Sequence, residues 1–141
     1  MKILIFGLPG SGKSTLAEPF AKLIGGIWLN ADAVRTEYND WDFSPEGRIR
    51  QAMRMRYLAD GVVKAGKIAV ADFVCPTERA RQEFGADFTV WMDTIKEGRY
   101  EDTNKMFEVP SNFNYHVSQW FTDTHLQLMD VVKAYMKNGN K

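Results

Sequence analysis

The sequence predicts an α/β fold, in which a parallel sheet of about five strands carries helices on both faces. Two observations support this prediction. Short apolar runs alternate with helical patterns along the chain, and within each run the apolar residues do not alternate with polar ones. Such strands are buried on both faces, as they are when helices cover a parallel sheet. Because ligands bind at the carboxyl ends of these strands, we expect the residues that bind ligand or carry out a reaction to follow directly after each strand.

The first strand, loop and helix form a specific pattern. Residues 3–6 are a continuous apolar run, residues 14–24 have a helical pattern, and the sequence GLPGSGKST at 7–15 connects them. This sequence matches the P-loop motif G-x-x-x-x-G-K-[ST] in the strand–loop–helix setting that the motif requires. Its glycines allow a tight turn with N–H groups aimed at an anion, and the helix N-terminus adds partial positive charge. The pattern predicts a P-loop NTPase-type sheet that binds a nucleoside triphosphate.

The motif also predicts the cofactors, which are ATP and Mg²⁺. Lys13 is placed to reach the β- and γ-phosphates, where its role is catalytic, and the Ser14 hydroxyl is placed to ligate Mg²⁺. The residues expected to bind the nucleotide are Gly7, Pro9, Gly10, Ser11, Gly12, Lys13, Ser14 and Thr15.

The next elements are predicted from breaks and caps. A double glycine at 25–26 separates the first helix from a brief strand at 27–29. Ser44 as N-cap and Pro45 in the first turn begin a long helix that Gly66 ends. The apolar positions expected along this helix are Ile49, Met53, Tyr57, Leu58, Val62 and Ala65.

The second half of the chain continues the alternation. A continuous apolar run closed by an acid predicts a strand at 67–72, followed by a helix over about 76–84 and a strand at 88–92. A last short strand is expected at 115–118. The terminal helix is predicted from apolar residues that share one face, namely Leu128, Val131, Val132 and Tyr135.

Composition and charge limit the class of protein. The 141 residues fit one domain, 1–141, and 18 basic residues balance 18 acidic ones, so no net field favours nucleic acid or a membrane. The single cysteine, Cys75, excludes an internal disulfide, suits a reducing compartment and is expected to serve packing. The chain starts at once with a strand, which leaves no room for a signal peptide, and it has no apolar stretch of membrane-spanning length. We therefore expect a cytoplasmic protein.

Two acids lie at or just after the ends of predicted strands, at the edge of the sheet where the loop lies. An acid at Asp32 is placed to accept a proton from a substrate hydroxyl, in a catalytic role, or to hold a Mg²⁺-bound water. Asp72 ends its strand where a Walker-B acid orients Mg²⁺. The alternatives are that Asp32 caps a short helix through Val34 and Arg35, and that Asp72 caps the next turn. The sequence leaves open which acid holds the metal.

Several strings together resemble adenylylsulfate kinases, which phosphorylate the 3′-hydroxyl of adenosine 5′-phosphosulfate. These strings are GLPGSGKSTLA, LNADAVR against the family's LDGDNVR, FSPEGRIRQ against FSxEDRxxN, KAGKIAVADFVCP against a DAGxIVxxxFISP type, and VWMDT against VxVDT. The similarity covers about residues 1–95 and implies a small nucleotide as substrate. By position it implies substrate-binding roles for Asp32, Arg35, Phe43, Arg48 and Gln51.

This chain departs from the family strings at defined positions. Asn30 replaces the first acid of the family motif, Gln51 replaces an asparagine, and Glu78 replaces an arginine.

Two aromatic residues in the polar loop before Ser44, Phe43 and Trp41, have two alternative roles: to stack on a base, or to pack the loop against the following helix. The oligomeric state is left open, with a homodimer as one alternative.

The same residues are compatible with other functions. LNADAVR also resembles the N-x-D-x-x-R motif of polynucleotide 5′-hydroxyl kinases, and only this alternative brings in nucleic acid. A nucleoside or nucleotide kinase and a catalytically inactive nucleotide-binding module are further alternatives. A GTPase switch is excluded because D-x-x-G and N-K-x-D motifs are absent.

A polar segment at about 96–112 lacks a core-facing stripe and is predicted to be a lid. The cations expected to close over the transferring group are Arg79, Arg81, Arg99 and Lys105.

Overall fold

The structure is a computed structural model and describes residues 1–139. Its centre is a five-stranded sheet in the order β2-β3-β1-β4-β5, with all pairings parallel. The predicted α/β fold, with a parallel sheet and helices on both faces, is therefore confirmed. The strands are β1 (Lys2–Gly7), β2 (Ile27–Asn30), β3 (Ala69–Phe73), β4 (Phe88–Met92) and β5 (Tyr115–Val117).

Helices cover the two faces of this sheet. They are α1 (Lys13–Ile24), α2 (Ala31–Tyr38), α3 (Pro45–Lys64), α4 (Glu78–Phe84), α5 (Glu101–Met106) and α6 (Thr124–Gly139). Two cores result, one between the sheet and α1 with α6, the other between the sheet and α2, α3 and α4. Within residues 1–139, no helix is both long enough and apolar enough to cross a membrane.

The central strand β1 shows why its sequence is apolar throughout. Ile3 and Ile5 belong to the core beneath α1 and α6, whereas Leu4 and Phe6 belong to the core beneath α3 and α4. Successive side chains of a strand point to opposite faces, so both faces of β1 need apolar residues. The strand thereby directs the chain into the glycine-rich loop from the middle of the sheet.

The long helix α3 begins as predicted but turns a different face to the core. The Ser44 side chain accepts a hydrogen bond from the backbone N–H of Gly47 and caps the helix. The buried apolar positions are Ala52, Met55 and Ala59. The prediction that Met53 and Tyr57 face the core is wrong, because they are 53% and 76% exposed.

The reason is the helical period. Positions 52, 55 and 59 share one stripe, while positions 53 and 57 lie roughly 100–160° away from it round the helix. Ile49, Leu58 and Val62 flank the buried stripe and are partly buried, and Ala65 is an exposed C-cap. Two of the three buried side chains in the stripe, Ala52 and Ala59, are small, while Met55 is larger and packs in the same core.

Other boundaries shift by a few residues. Strand β3 begins at Ala69 rather than residue 67, and α4 begins at Glu78 behind a Thr77 cap. The helix α5 is an additional element, whereas α2 contains the short helix through Val34 and Arg35 that was expected as one alternative. The short helix α2 is capped by the side chain of Asn30, which accepts from the backbone N–H of Ala33 at 3.0 Å.

Candidate active site at the glycine-rich loop

The loop between β1 and α1 requires glycine at several positions. Gly10 and Gly12 have φ values of 87° and 96°, in the left-handed region that side chains disfavour. A Cβ on Gly7 would lie 2.4 Å from the carbonyl oxygen of Met92. Thr94, just after β4, donates to the carbonyl oxygen of Ser11 at 2.7 Å and ties the loop to the sheet.

One buried polar atom of the loop has no hydrogen-bond partner within residues 1–139. It is Oγ of Ser11, in a residue only 3% exposed. A buried hydroxyl without a partner costs free energy unless a ligand or water satisfies it. Together with the glycine backbone and the N-terminus of α1, this hydroxyl fits a polyphosphate.

Lys13 lies folded over the same loop. Its Nζ donates to the carbonyl oxygen of Leu8 at 3.0 Å. Burial lowers the pKa of Lys13 to about 8, although the negative charges of Asp72 and Asp32 oppose this shift. The ammonium is therefore poorly solvated and close to two acids, which suits it to exchange its carbonyl contact for phosphate oxygens.

Asp72 lies beside the first residues of α1 and joins three elements. Its Oδ1 accepts from the Ser14 hydroxyl at 3.2 Å, and its carboxylate also accepts from the side chains of Trp28 and Asn30. Burial raises the pKa of the Asp72 carboxyl, and these donors oppose that rise. A hydroxyl and a carboxylate are oxygen ligands of the kind that Mg²⁺ prefers.

The donor set also fits the way in which Mg²⁺ is usually held. In the described part of the chain, no three His, Cys, Asp or Glu side chains are grouped closely enough to enclose a metal ion. Mg²⁺ commonly takes one or two protein oxygens and completes its shell with water and substrate phosphates. Ser14 and Asp72 match that pattern.

Asp32 lies in the first turn of α2, exposed on the wall of the cavity described below. The sequence left open that Asp32 caps α2, but the residue that caps this helix is Asn30. Asp32 is near enough to Lys13 for its charge to affect the lysine pKa. The two residues named as catalytic from the sequence therefore border one space.

An aromatic–cation cluster lines the same cavity and consists of Arg35, Phe43 and Arg48. The guanidinium carbons of Arg35 and Arg48 lie 4.4 and 5.1 Å from the centre of the Phe43 ring. Arg35 also donates to the carbonyl oxygens of Asp40 and Asp42, at 2.9 and 3.3 Å. Burial lowers the pKa of both arginines, yet the ordinary guanidinium pKa is so high that both stay charged.

Gln51 has a scaffolding position in the cavity wall. Its amide nitrogen donates to the carbonyl oxygen of Ala31 at 3.2 Å, and its amide oxygen accepts from Arg54 at 2.7 Å. Arg54 and Arg50 in turn bind the carboxylate of Asp40. Hydrogen bonds from Arg50 and Arg54 hold the pKa of Asp40 well below its usual range. The loop that carries Phe43 is thereby fixed to α3.

A cavity of about 1190 Å³ brings these groups together. Twelve of the predicted site residues line it: Pro9, Gly10, Gly12, Lys13, Ser14, Thr15, Asp32, Arg35, Phe43, Arg48, Gln51 and Asp72. Gly7 and Ser11, the other two predicted site residues, are buried and do not line it. Trp41, Arg99, Tyr100, Thr103 and Met106 are among the other residues of the wall.

The segment predicted as a lid covers one side of the cavity. Its helix α5 contributes Thr103, which accepts a 2.7 Å hydrogen bond from Arg48. Thr103 is buried, so the segment makes more contact than its polar sequence suggests. Lys105 is exposed and 4.0 Å from Glu101. The sequence contains no motif that would have indicated the Arg48–Thr103 contact.

Arg81 differs from the sequence-based prediction. Its guanidinium donates to the carbonyl oxygens of Cys75, Pro76 and Glu108 and pairs with Glu78. It is therefore a structural residue that connects α4 to the end of the lid segment, and the prediction that it closes over the transferring group is wrong. Arg79 is exposed on α4, whereas Arg99 lines the cavity.

Comparison with known proteins agrees with this geometry. The probable adenylyl-sulfate kinase of Aeropyrum pernix is 32% identical over 90 residues, covering 56% of this chain and 46% of that protein. The chain thus spans about half the length of this curated relative.

Solved structures share the fold. The Mycobacterium tuberculosis APS kinase in complex with AMPPNP and APS has a TM-score of 0.75 at 17% identity, covering 94% of this chain and 96% of that one. The shikimate kinase of Acinetobacter baumannii in complex with shikimate has a TM-score of 0.61 at 18% identity, covering 99% and 95%. At such identities the likeness is one of fold alone.

The resemblance to adenylylsulfate kinases that was seen in the sequence is confirmed by a match to a family model, and it extends beyond residue 95. A family model described as adenylylsulphate kinase matches residues 1–112, which is most of the chain, and the chain therefore belongs to the adenylylsulphate kinase family.

Proposed function

We propose that the chain is an ATP-dependent kinase that transfers the γ-phosphoryl group of ATP to the 3′-hydroxyl of adenylylsulfate. The observation that carries this proposal is the cavity in which the glycine-rich loop faces Asp32 and the Phe43 cluster. A kinase needs a phosphate cradle and an acceptor pocket in one water-poor space, because phosphoryl transfer depends on positioning and charge neutralisation. Family membership supports the same conclusion.

On the donor side, the loop amides, the Ser11 hydroxyl and Lys13 would hold the phosphates. Ser14 and Asp72 would hold Mg²⁺, which when bound neutralises charge on the β- and γ-phosphates. Lys13 would exchange its contact with the Leu8 carbonyl for phosphate oxygens. Since burial disfavours its charge, the added negative charge of phosphate would keep Lys13 protonated.

On the acceptor side, Asp32 would accept the proton of the attacking hydroxyl. Such general-base help is worth about 10²–10⁴-fold in rate. Phe43 is 49% exposed on the cavity wall, and its ring would stack on adenine. Arg48 borders the same cavity, and its forked donors suit sulfate and phosphate oxygens.

The lid is part of the proposal. Residues 96–112 would close over the reacting groups and exclude water, with Arg99 as the cation directed into the cavity. One domain over 1–141, a homodimer and a cytoplasmic location stay predictions.

The test is a panel of acceptors assayed for label transfer from γ-labelled ATP. The proposal expects transfer to adenylylsulfate and none to nucleosides or oligonucleotide 5′ ends. Transfer to oligonucleotide ends alone would instead establish the polynucleotide kinase alternative. ATP binding without transfer to any acceptor would identify an inactive nucleotide-binding module. The Lys13→Ala variant is the negative control, in which no label transfer is expected.

A further inference from the structure

The carboxylate of Asp72 is held by side chains from two other elements. Oδ1 accepts from the Ser14 hydroxyl at 3.2 Å, and Oδ2 accepts from the indole N–H of Trp28. The side-chain nitrogen of Asn30 lies 3.4 Å from both oxygens. Asp72 is only 2% exposed. Both oxygens are engaged, so the carboxylate cannot rotate without breaking hydrogen bonds.

Strand pairing brings these donors to Asp72. In the parallel register of β2 and β3, Asn30 lies opposite Asp72, and Trp28 lies opposite Val70. Residues two apart in a strand point to the same face. The short amide of Asn30 therefore reaches directly across, while the longer indole of Trp28 reaches along the sheet to the other oxygen.

The same network fixes the direction of the Ser14 hydroxyl. Asn30 donates to Ser14 Oγ at 3.1 Å, and Ser14 Oγ donates to Asp72. A hydroxyl has one proton and two lone pairs. With the proton directed at Asp72 and one lone pair engaged by Asn30, the second lone pair of Ser14 is available for a cation.

Trp28 contributes a donor without charge. An indole N–H neither accepts a hydrogen bond nor titrates, so its contact can only hold Oδ2 in place. Asn30 likewise donates where the family motif has an acid, and a second carboxylate 3.4 Å from Asp72 would repel it. This chain thus orients one acid with two neutral donors.

We propose that Trp28 and Asn30 are positioning residues that orient the Asp72 carboxylate and the Ser14 hydroxyl for the divalent cation that accompanies the triphosphate. The inference rests on the proposed function, because the cation arrives with the nucleotide. Partners that orient metal ligands contribute about 10–100-fold in metal affinity or activity.

A purely structural role predicts a different result. Trp28 also packs against the core beneath α1, so its loss could weaken the fold as a whole. Such an effect would weaken ATP binding with and without metal alike. The positioning role instead predicts that only the metal-dependent part of ATP binding falls.

The test compares the Kd for ATP in EDTA with the Kd in saturating Mg²⁺, by titration calorimetry. Trp28→Phe keeps a ring and removes the N–H donor. Asn30→Ser keeps a good N-cap for α2 but lacks the amide that reaches Asp72. Trp91→Phe is the matched control, because the Trp91 ring stacks on His116, away from the Asp72 network.

In the wild-type protein, Mg²⁺ should tighten ATP binding. Trp28→Phe and Asn30→Ser should each reduce that gain by about 10-fold or more while leaving the Kd in EDTA nearly unchanged. Trp91→Phe should behave as wild type. An unreduced gain in the two variants, or an equal loss with and without metal, would overturn the inference.

Two outcomes in the wild-type protein separate this inference from the function on which it rests. Tight ATP binding that Mg²⁺ does not change would overturn the inference and leave triphosphate binding intact. No ATP binding at all would overturn the proposed function and the inference with it.

Discussion

Arg48 donates a 2.7 Å hydrogen bond from Nη2 to Oγ1 of Thr103, which joins the acceptor wall on α3 to α5 in the lid segment. The same arginine lies 5.1 Å from the centre of the Phe43 ring. A ligand that contacts Phe43 or Arg48 would therefore act on the residue that holds the lid segment in place.

The first prediction concerns this contact. Thr103→Val keeps the shape of the side chain and removes the acceptor, which leaves a guanidinium donor without its partner. We expect the α5 amides to exchange hydrogen roughly 5-fold faster, corresponding to about 1 kcal/mol. The control is Thr122→Val, at an exposed threonine. Equal exchange in wild type and Thr103→Val would contradict a role for this contact in holding the lid.

The second prediction concerns Lys13. Lys13→Ala should reduce phosphoryl transfer by about 10²-fold or more, because a preorganised cation next to the developing charge is lost. The fold should survive, since the Nζ atom makes its one protein contact with a loop carbonyl in the described structure. Rates and urea unfolding curves measure the two effects. An unchanged rate would end the kinase proposal.

The third prediction is a pH dependence. The pKa of Lys13 is lowered from 10.5 to about 8, so between these values the unfolded chain binds the proton and the folded chain does not. This residue therefore makes stability rise with pH in that window. Binding of a triphosphate should reverse the shift, with uptake of nearly one proton at about pH 9 and little at about pH 7.

Calorimetry of ATP binding in buffers of different ionisation enthalpy measures this uptake. Lys13→Ala is the control, because it has no ammonium to protonate. Uptake that is equal at both pH values, or that persists in the variant, would show that Lys13 is not the group involved.

The fourth prediction separates the roles of two neighbouring arginines on α4. Arg81→Met leaves the carbonyl oxygens of Cys75, Pro76 and Glu108 without their donor and should cost about 3 kcal/mol in the free energy of unfolding. Arg79→Met, at an exposed position, should change it by less than about 0.5 kcal/mol. Urea denaturation measures both. Equal stability of the two variants would contradict the structural role of Arg81.

The sequence predicted those parts of the site that depend on local pattern. The loop at 7–14 is recognisable because its glycines, lysine and serine must lie at fixed spacings within one short segment to wrap an anion. Asp32 and Asp72 were predicted because one follows a predicted strand and the other ends one, and the parallel sheet places such residues at one edge. The strand alternation gave the fold class for the same reason.

Parts that depend on strand order and helix rotation were not predictable. Trp28 binds Asp72 only because β2 lies beside β3 in this register, which no local pattern specifies. Met53 and Tyr57 were misplaced because α3 carries apolar residues on more than one face. The sequence around Arg81 is like that of any helical arginine, and nothing in it indicates that the side chain turns back to the carbonyl oxygens of Cys75 and Pro76 or reaches that of Glu108, 27 residues away.

The most direct measurement is a crystal structure of the protein with AMPPNP, Mg²⁺ and adenylylsulfate. Our account predicts the triphosphate on the backbone amides of residues 7–14 beside Lys13, with the 3′-hydroxyl of adenylylsulfate within hydrogen-bonding distance of the Asp32 carboxylate. A triphosphate bound elsewhere, or an acceptor whose hydroxyl lies away from Asp32, would contradict it.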